Sequence, residues 1–176
     1  MPRLFLLRHA KSSPAGPGQK DFDRPLNSRG RVAAAAVGRF MADSGFLPDR
    51  ILCSPAVRTR ETLDHVRPFL PDDTHVDYVR ELYESSAEGM FRVIADHAAG
   101  AERLLVVGHN PSMHMLARAL SHDGDPDLID RLKAKYPTAA LAVIDLPNGG
   151  WSAIRPGGGQ LVAHVTPEDL GGPAGD

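Results

Sequence analysis

The stretch Pro2-Arg3-Leu4-Phe5-Leu6-Leu7-Arg8-His9-Ala10-Lys11-Ser12 sets an apolar run directly against an Arg-His pair, and a loop rich in Pro and Gly follows. The run reads as a buried strand. Open α/β sheets hold their ligands at the carboxyl ends of their strands, so a strand that stops at Arg8-His9 delivers a guanidinium and an imidazole to that edge. Taken alone the pair is also compatible with the plain polar end of a strand. The rest of the chain decides between the two.

A chain of 176 residues is long enough to build one complete core without disulfides or structural zinc. Cys53 is the sole cysteine, which rules out an intrachain bridge and suits a reducing compartment, so a cytoplasmic location is expected. The apolar run before Arg8 is too short for a signal-peptide core or a membrane span. With 20 Lys+Arg against 22 Asp+Glu, the formal charge of -2 offers no global basic field for nucleic acid. Any anion has to be bound by a local cluster. A single domain over 1–170 is expected, with 171–176 a frayed tail, and nothing asks for more than a monomer.

Downstream of the first strand, Ser12 to Pro25 shows no periodicity and reads as an exposed loop, a candidate rim or lid beside His9. Asn27 or Ser28 then caps a helix whose stripe is Val32, Ala33, Ala36, Val37, Phe40 and Met41, stopped by Gly45. Arg50 to Cys53 is a short strand, and Ser54-Pro55 is read as the cap and first residue of a helix that puts Arg58 in its first turn. His75 to Val79 alternates as a strand and leads to Arg80-Glu81-Leu82-Tyr83-Glu84, after which Ser85 or Ser86 opens a helix carrying Met90, Val93, Ile94 and Ala98. Leu104 to Val107 is the clearest strand, and it runs into Gly108-His109-Asn110-Pro111, with Asn110 the expected cap and Pro111 the expected first residue of the next helix. A short helix from Asp125 or Pro126 follows. Ala139 to Leu146 and Trp151 to Arg155 are read as a hairpin, and Leu161 to Val165 as the last strand.

Strands alternating with helices over the first two thirds predict a three-layer α/β/α sandwich: a mostly parallel central sheet, with antiparallel edge strands from the closing hairpin. Neighbouring exits of such a sheet converge. Arg8-His9, Arg58, His109 and Glu81 therefore come to one edge, where two guanidiniums and two imidazoles suit a dianionic phosphoryl group. On this reading His9 is the phosphoryl-accepting nucleophile and Arg8 a phosphate clamp. A Walker-type GxxxxGK[ST] loop is absent from the sequence, as are HExxH and Asp-rich metal runs, so no cofactor or metal is expected.

The ordered motifs Arg8-His9-Ala10-Lys11-Ser12, Asp23-Arg24-Pro25-Leu26-Asn27 with Gly30, Ser54-Pro55-Ala56-Val57-Arg58-Thr59 and Gly108-His109-Asn110-Pro111 resemble those of the histidine phosphatase superfamily, also called phosphoglycerate mutase-like. Within it the chain looks most like the small SixA-type phosphohistidine phosphatases. The resemblance implies that His9 becomes phosphorylated, that Arg8, Arg58 and His109 hold the phosphoryl oxygens, and that Glu81 donates the proton. Glu81 rests on position alone and Glu84 is its rival. By their places, Ser12 and Asn110 are further candidates for phosphate contact, although for Ser12 an exposed loop serine is the preferred reading. For Asp21, Asp23 and Arg24, shaping the rim is preferred over binding substrate. The implied partner is a phosphorylated protein, phosphohistidine above all, or a small phosphorylated metabolite.

Cys53 to Arg58 also invites comparison with cysteine phosphatases, whose phosphate loop has five residues between Cys and Arg; only four stand here, so Cys53 reads as a buried strand residue. Two other functions compete with hydrolysis. One is a mutase returning the phosphoryl group to a bound intermediate, disfavoured because little beyond one helix lies between Glu81 and Leu104 to seal the site from water. The other is a non-catalytic module that binds phosphorylated ligands.

Overall fold

The computed structural model describes residues 1–173, and the decision taken at Arg8-His9 governs its layout. β1 (Arg3–Arg8) lies in a seven-stranded sheet beside β4 (Arg103–Gly108) on one side and β6 (Leu141–Asp145) on the other. With β2 (Arg50–Cys53), β3 (His75–Tyr78), β5 (Ser121–Gly124) and β7 (Gly159–Val165), the order is β3-β2-β4-β1-β6-β7-β5. The first four run parallel, so their carboxyl ends share one edge; β6 is antiparallel to both β1 and β7.

Alternation along the central strands explains the layers, because successive residues of a strand face opposite sides of the sheet. Leu4, Leu6, Leu104 and Val106 pack with Met90, Val93 and Ile94 of α4 (Ala87–His97), Met113, Leu116 and Leu120 of α5 (Ser112–Leu120), and Leu132 of α6 (Pro126–Ala134). Phe5, Leu7, Leu105 and Val107 pack instead with Ala34, Val37 and Met41 of α1 (Ser28–Asp43) and Leu63 and Val66 of α2 (Val57–Val66). A two-faced run such as Leu4 to Leu7, wholly buried, requires cover on both sides. The result is the three-layer α/β/α arrangement. A one-turn helix, α3 (Glu81–Glu84), sits just beyond β3.

Several local expectations hold. The Asn27 side chain accepts from Gly30 N (2.9 Å) at the start of α1, and Gly45 takes φ +70° after its end. Ser86 caps α4 through Gly89 N, and Asp125 with Pro126 opens α6.

Other expectations are corrected. Trp151 to Arg155 is not a strand: Trp151–Ala153 forms a 3-10 turn that buries the indole and lets its N–H donate to Ala101 O (2.7 Å). The hairpin partner of β6 is β7, so the ladder skips the Trp segment. β5 escapes the sequence reading because Ser121-His122-Asp123-Gly124 has no apolar alternation; it pairs only as an edge strand, parallel to β7 and with an irregular register. The edge strands β3 and β5 are thus in parallel pairs, and the antiparallel pairing lies inside the sheet. Of the tail expected to fray, residues 174–176 lie outside the described residues.

Candidate active site

His9 leaves β1 tied on three sides. Its N–H donates to Gly108 O (3.0 Å) at the end of β4, and its carbonyl accepts from Ala139 N (3.0 Å). The N–H of Ala10 donates to Thr62 Oγ1 (2.9 Å) on α2. Ala139 holds a left-handed backbone, φ +59°, which costs a non-glycine residue on the order of 1–2 kcal/mol. Gly30 permits the next contact: a Cβ there would lie 2.0 Å from Lys11 O, so only glycine lets α1 approach the chain just beyond His9.

His9 Nδ1 lies 2.8 Å from Ala10 O. A carbonyl only accepts, so Nδ1 carries the hydrogen and the lone pair stands on Nε2, the form a nucleophilic imidazole needs. Burial pushes the ring pKa down to about 3, against the pull of the Ala10 bond; His109, Arg8 and Arg58 lower it further. His9 is therefore neutral at pH 7.

His109, from the end of β4, puts its ring centroid 5.3 Å from that of His9. Its Nε2 lies 2.8 Å from Ser54 Oγ. Ser54 Oγ also accepts from Ala56 N (3.4 Å), and its hydroxyl has both a hydrogen and a further lone pair with which to meet His109 Nε2. The other ring nitrogen, Nδ1, is buried without a hydrogen-bond partner among the described residues. Burial first, and Arg58 next, bring the His109 pKa down to about 4.

Arg58, in the first turn of α2, is buried and gives Nη1 to Asp21 O (2.8 Å) and Nη2 to Asp21 Oδ2 (3.0 Å). Arg8 Nη1 donates to Tyr136 O (3.0 Å), an oxygen that also accepts from Asn110 Nδ2 (2.8 Å). Tyr136 is itself fixed, its ring stacked between those of His114 and His164 and its hydroxyl donating to Leu6 O (2.5 Å). Burial and the neighbouring Arg58 lower the pKa of Arg8, a sign of two guanidiniums crowded round one spot.

The four residues Arg8, His9, Arg58 and His109 are thus brought together, at the exits expected of them. The remaining candidates stand differently. Ser12 Oγ accepts from Arg24 Nη2 (2.8 Å), and Asn110 spans Tyr136 O and His114 N. Asn110 is not the helix cap in the expected register, since α5 starts at Ser112 after a cis Asn110–Pro111 bond. Ser54 likewise does not cap α2, which starts at Val57; its hydroxyl serves His109. Glu81 and Glu84 are exposed, and among the described residues neither makes a hydrogen bond or ion pair to the cluster; Glu84 faces Arg80 (3.9 Å). Cys53 is buried, and burial pushes its thiol pKa up, which disfavours the thiolate.

Sequence reasoning missed Tyr83 and the hold of Asp21 on Arg58. Tyr83 places its ring edge-on to His109 at 5.4 Å and donates its hydroxyl to Asp21 Oδ2 (2.7 Å). The one available signal was Asp21 lying in a loop that leaves the strand at His9.

Comparison with known proteins meets this geometry. The model of the histidine phosphatase superfamily (branch 1) matches residues 4–95, a span that holds Arg8, His9 and Arg58. An uncharacterised protein of Mycobacterium tuberculosis (strain H37Rv) is 33% identical over 92% of this chain and 99% of its own. A crystal structure from Agrobacterium tumefaciens, provisionally assigned as the phosphohistidine phosphatase SixA, is 32% identical over 94% of this chain and 99% of that one, with a TM-score of 0.79. A second of the same provisional assignment, from Nakamurella, is 31% identical over 94% and 96%, again at 0.79. With an Arg-His exit on β1, a second histidine exit on β4 and these likenesses along nearly the whole length, the chain belongs to the histidine phosphatase superfamily.

Proposed function

We propose that this chain is a metal-independent phosphatase that hydrolyses a phosphohistidine or a phosphomonoester through a covalent phospho-His9 intermediate. The observation that carries the reading is His9 itself: a neutral imidazole with its lone pair on Nε2, set 5.3 Å from a second imidazole and within the field of two guanidiniums.

In the first step the Nε2 lone pair of His9 forms a bond to phosphorus while the bond to the leaving oxygen or nitrogen breaks, its electron pair departing with the leaving group, which takes a proton. Arg8, Arg58 and the Nδ1–H of His109 hold the equatorial oxygens as charge develops there. In the second step a water oxygen attacks phosphorus, the carboxylate left by the first step takes a proton from that water, and the P–N bond returns its pair to Nε2, releasing orthophosphate. Glu81 is the favoured proton donor and Glu84 its rival; an imidazole leaving group demands less acid help than an alkoxide. Phosphorylated protein side chains and small phosphorylated metabolites are the substrate classes, and the provisional SixA assignments of the Agrobacterium and Nakamurella structures favour the former. The unpaired Cys53 suits a reducing, cytoplasmic setting.

The test is release of orthophosphate from p-nitrophenyl phosphate and from a phosphohistidine-bearing protein in the presence of a chelator. The reading expects release by the wild type and none by His9→Ala. Release unchanged in His9→Ala would overturn it.

A further inference from the structure

We infer that Asp21 is a positioning residue for Arg58, one that holds the end fork of the guanidinium and turns its side fork, Nε with Nη2, towards the phosphoryl group. The inference rests on the phosphatase reading of the site and adds a residue to it.

A guanidinium offers two bidentate faces, one formed by Nη1 with Nη2 and one by Nε with Nη2. In Arg58 the first is filled, by the main-chain oxygen of Asp21 at 2.8 Å and its carboxylate at 3.0 Å. Nε is buried and has no hydrogen-bond partner among the described residues. A buried N–H left open is costly unless a ligand takes it. An anion held by the side fork gives that N–H its partner.

Asp21 is itself braced. Its Oδ2 takes the Tyr83 hydroxyl (2.7 Å) as well as Arg58, and its Oδ1 takes Arg24 Nη1 (2.9 Å). Arg24 reaches back to Ser13 O (2.8 Å) and Ser12 Oγ (2.8 Å), so the guanidinium that braces this carboxylate also joins both ends of the segment from 12 to 24. The Tyr83 bond above all, with Arg24 and Arg58, holds the Asp21 pKa well below the usual carboxylate range. At neutral pH the group is an anion, and its three hydrogen bonds make it an anchor. Its side chain is 53% exposed, so a substitution there leaves the core intact.

The opposite effect is conceivable on the same contacts: a carboxylate that competes with phosphate for Arg58. The two predict opposite signs. The experiment measures orthovanadate affinity by calorimetry and p-nitrophenyl phosphate kinetics for wild type, Asp21→Ala, Asp21→Asn, Arg58→Ala and the double variant Asp21→Ala/Arg58→Ala, with Arg58→Lys replacing Arg58→Ala should the latter not fold. A positioning role expects Asp21→Ala to weaken orthovanadate and lower kcat/KM about 10-fold, Asp21→Asn to restore part of the loss, and Asp21→Ala to change orthovanadate affinity by less than about 2-fold once Arg58 is gone. Tighter orthovanadate binding in Asp21→Ala, or an equal loss with and without Arg58, overturns it. Failure of the phosphatase reading would show differently, as a wild type that binds orthovanadate but releases no phosphate.

Discussion

His109 Nε2 and Ser54 Oγ lie 2.8 Å apart, a contact that engages one ring nitrogen and leaves Nδ1 as the one without a partner among the described residues. With the serine hydroxyl donating, the hydrogen of the neutral ring stands on Nδ1; without it the ring is free to take the other tautomer and present a lone pair there. Ser54→Ala is therefore expected to lower kcat/KM towards p-nitrophenyl phosphate on the order of 10²-fold, the scale of a misplaced catalytic group. A loss below about 3-fold would show that the tautomer is set by something else.

The two imidazoles make stability depend on pH in a definite sense. Folded, His9 and His109 have pKa values of about 3 and about 4; unfolded, both return to 6.5. Between those limits the unfolded chain binds more protons, so acid favours unfolding: the contribution is constant above pH 7, declines as pH falls through 6.5, and levels off near 3–4. His109→Gln should flatten part of that decline. Thermal midpoints of the two proteins measured from pH 8 to pH 4 should diverge from parallel below 6.5, the wild type falling faster. Parallel curves would contradict the depressed value.

Gly30 ties α1 to the segment that follows His9. A methyl group there collides with the Lys11 carbonyl at 2.0 Å, and backbone cannot step aside as a side-chain tip can. Gly30→Ala should cost about 1–3 kcal/mol of stability, the usual penalty for overpacking, and lower kcat because Lys11 follows His9 by two residues. Denaturant unfolding alongside kinetics checks both. An unchanged midpoint would mean the helix can slide away.

Cys53 sits wholly buried on β2 behind the site, its sulfur 3.3 Å from Ser54 O. Cys53→Ser should leave kcat/KM within about 2-fold while reducing stability by about 1–3 kcal/mol for the buried hydroxyl. Loss of turnover in a folded variant would reopen a thiol mechanism.

What the sequence made legible is the part set by local periodicity and strand exits. Leu4 to Leu7 and Leu104 to Val107 announce buried parallel strands because both faces are apolar, and the polar residues that end them, Arg8-His9 and Gly108-His109, mark the edge at which the chemistry collects. Contacts between loops were not legible. No pattern joins Asp21 to Arg58, Ser54 to His109, or Arg8 and Asn110 to the carbonyl of Tyr136, since each depends on how distant segments meet in space. Ser54 was misread for a physical reason: Ser-Pro before an amphipathic run is a good helix start, but the histidine across the sheet edge uses the hydroxyl instead. β5 stayed hidden because its pairing with β7 owes nothing to apolar alternation.

Glu81 and Glu84 separate by leaving group. Glu81→Gln is expected to slow hydrolysis of an alkyl phosphate about 10-fold or more and that of a phosphohistidine protein far less, because a departing imidazole needs little protonation. The same pattern in Glu84→Gln alone would transfer the acid role to Glu84.

The central claim is a phosphoryl group on His9, and it is tested most directly by rapid acid-free quenching of the enzyme with a phosphorylated substrate, followed by peptide mass spectrometry. The account predicts a phosphoryl adduct on the peptide containing His9, stable in alkali and labile in acid, absent from His9→Ala and accumulating in the wild type during turnover. Steady turnover with no adduct on His9, or with the adduct on another residue, would contradict it.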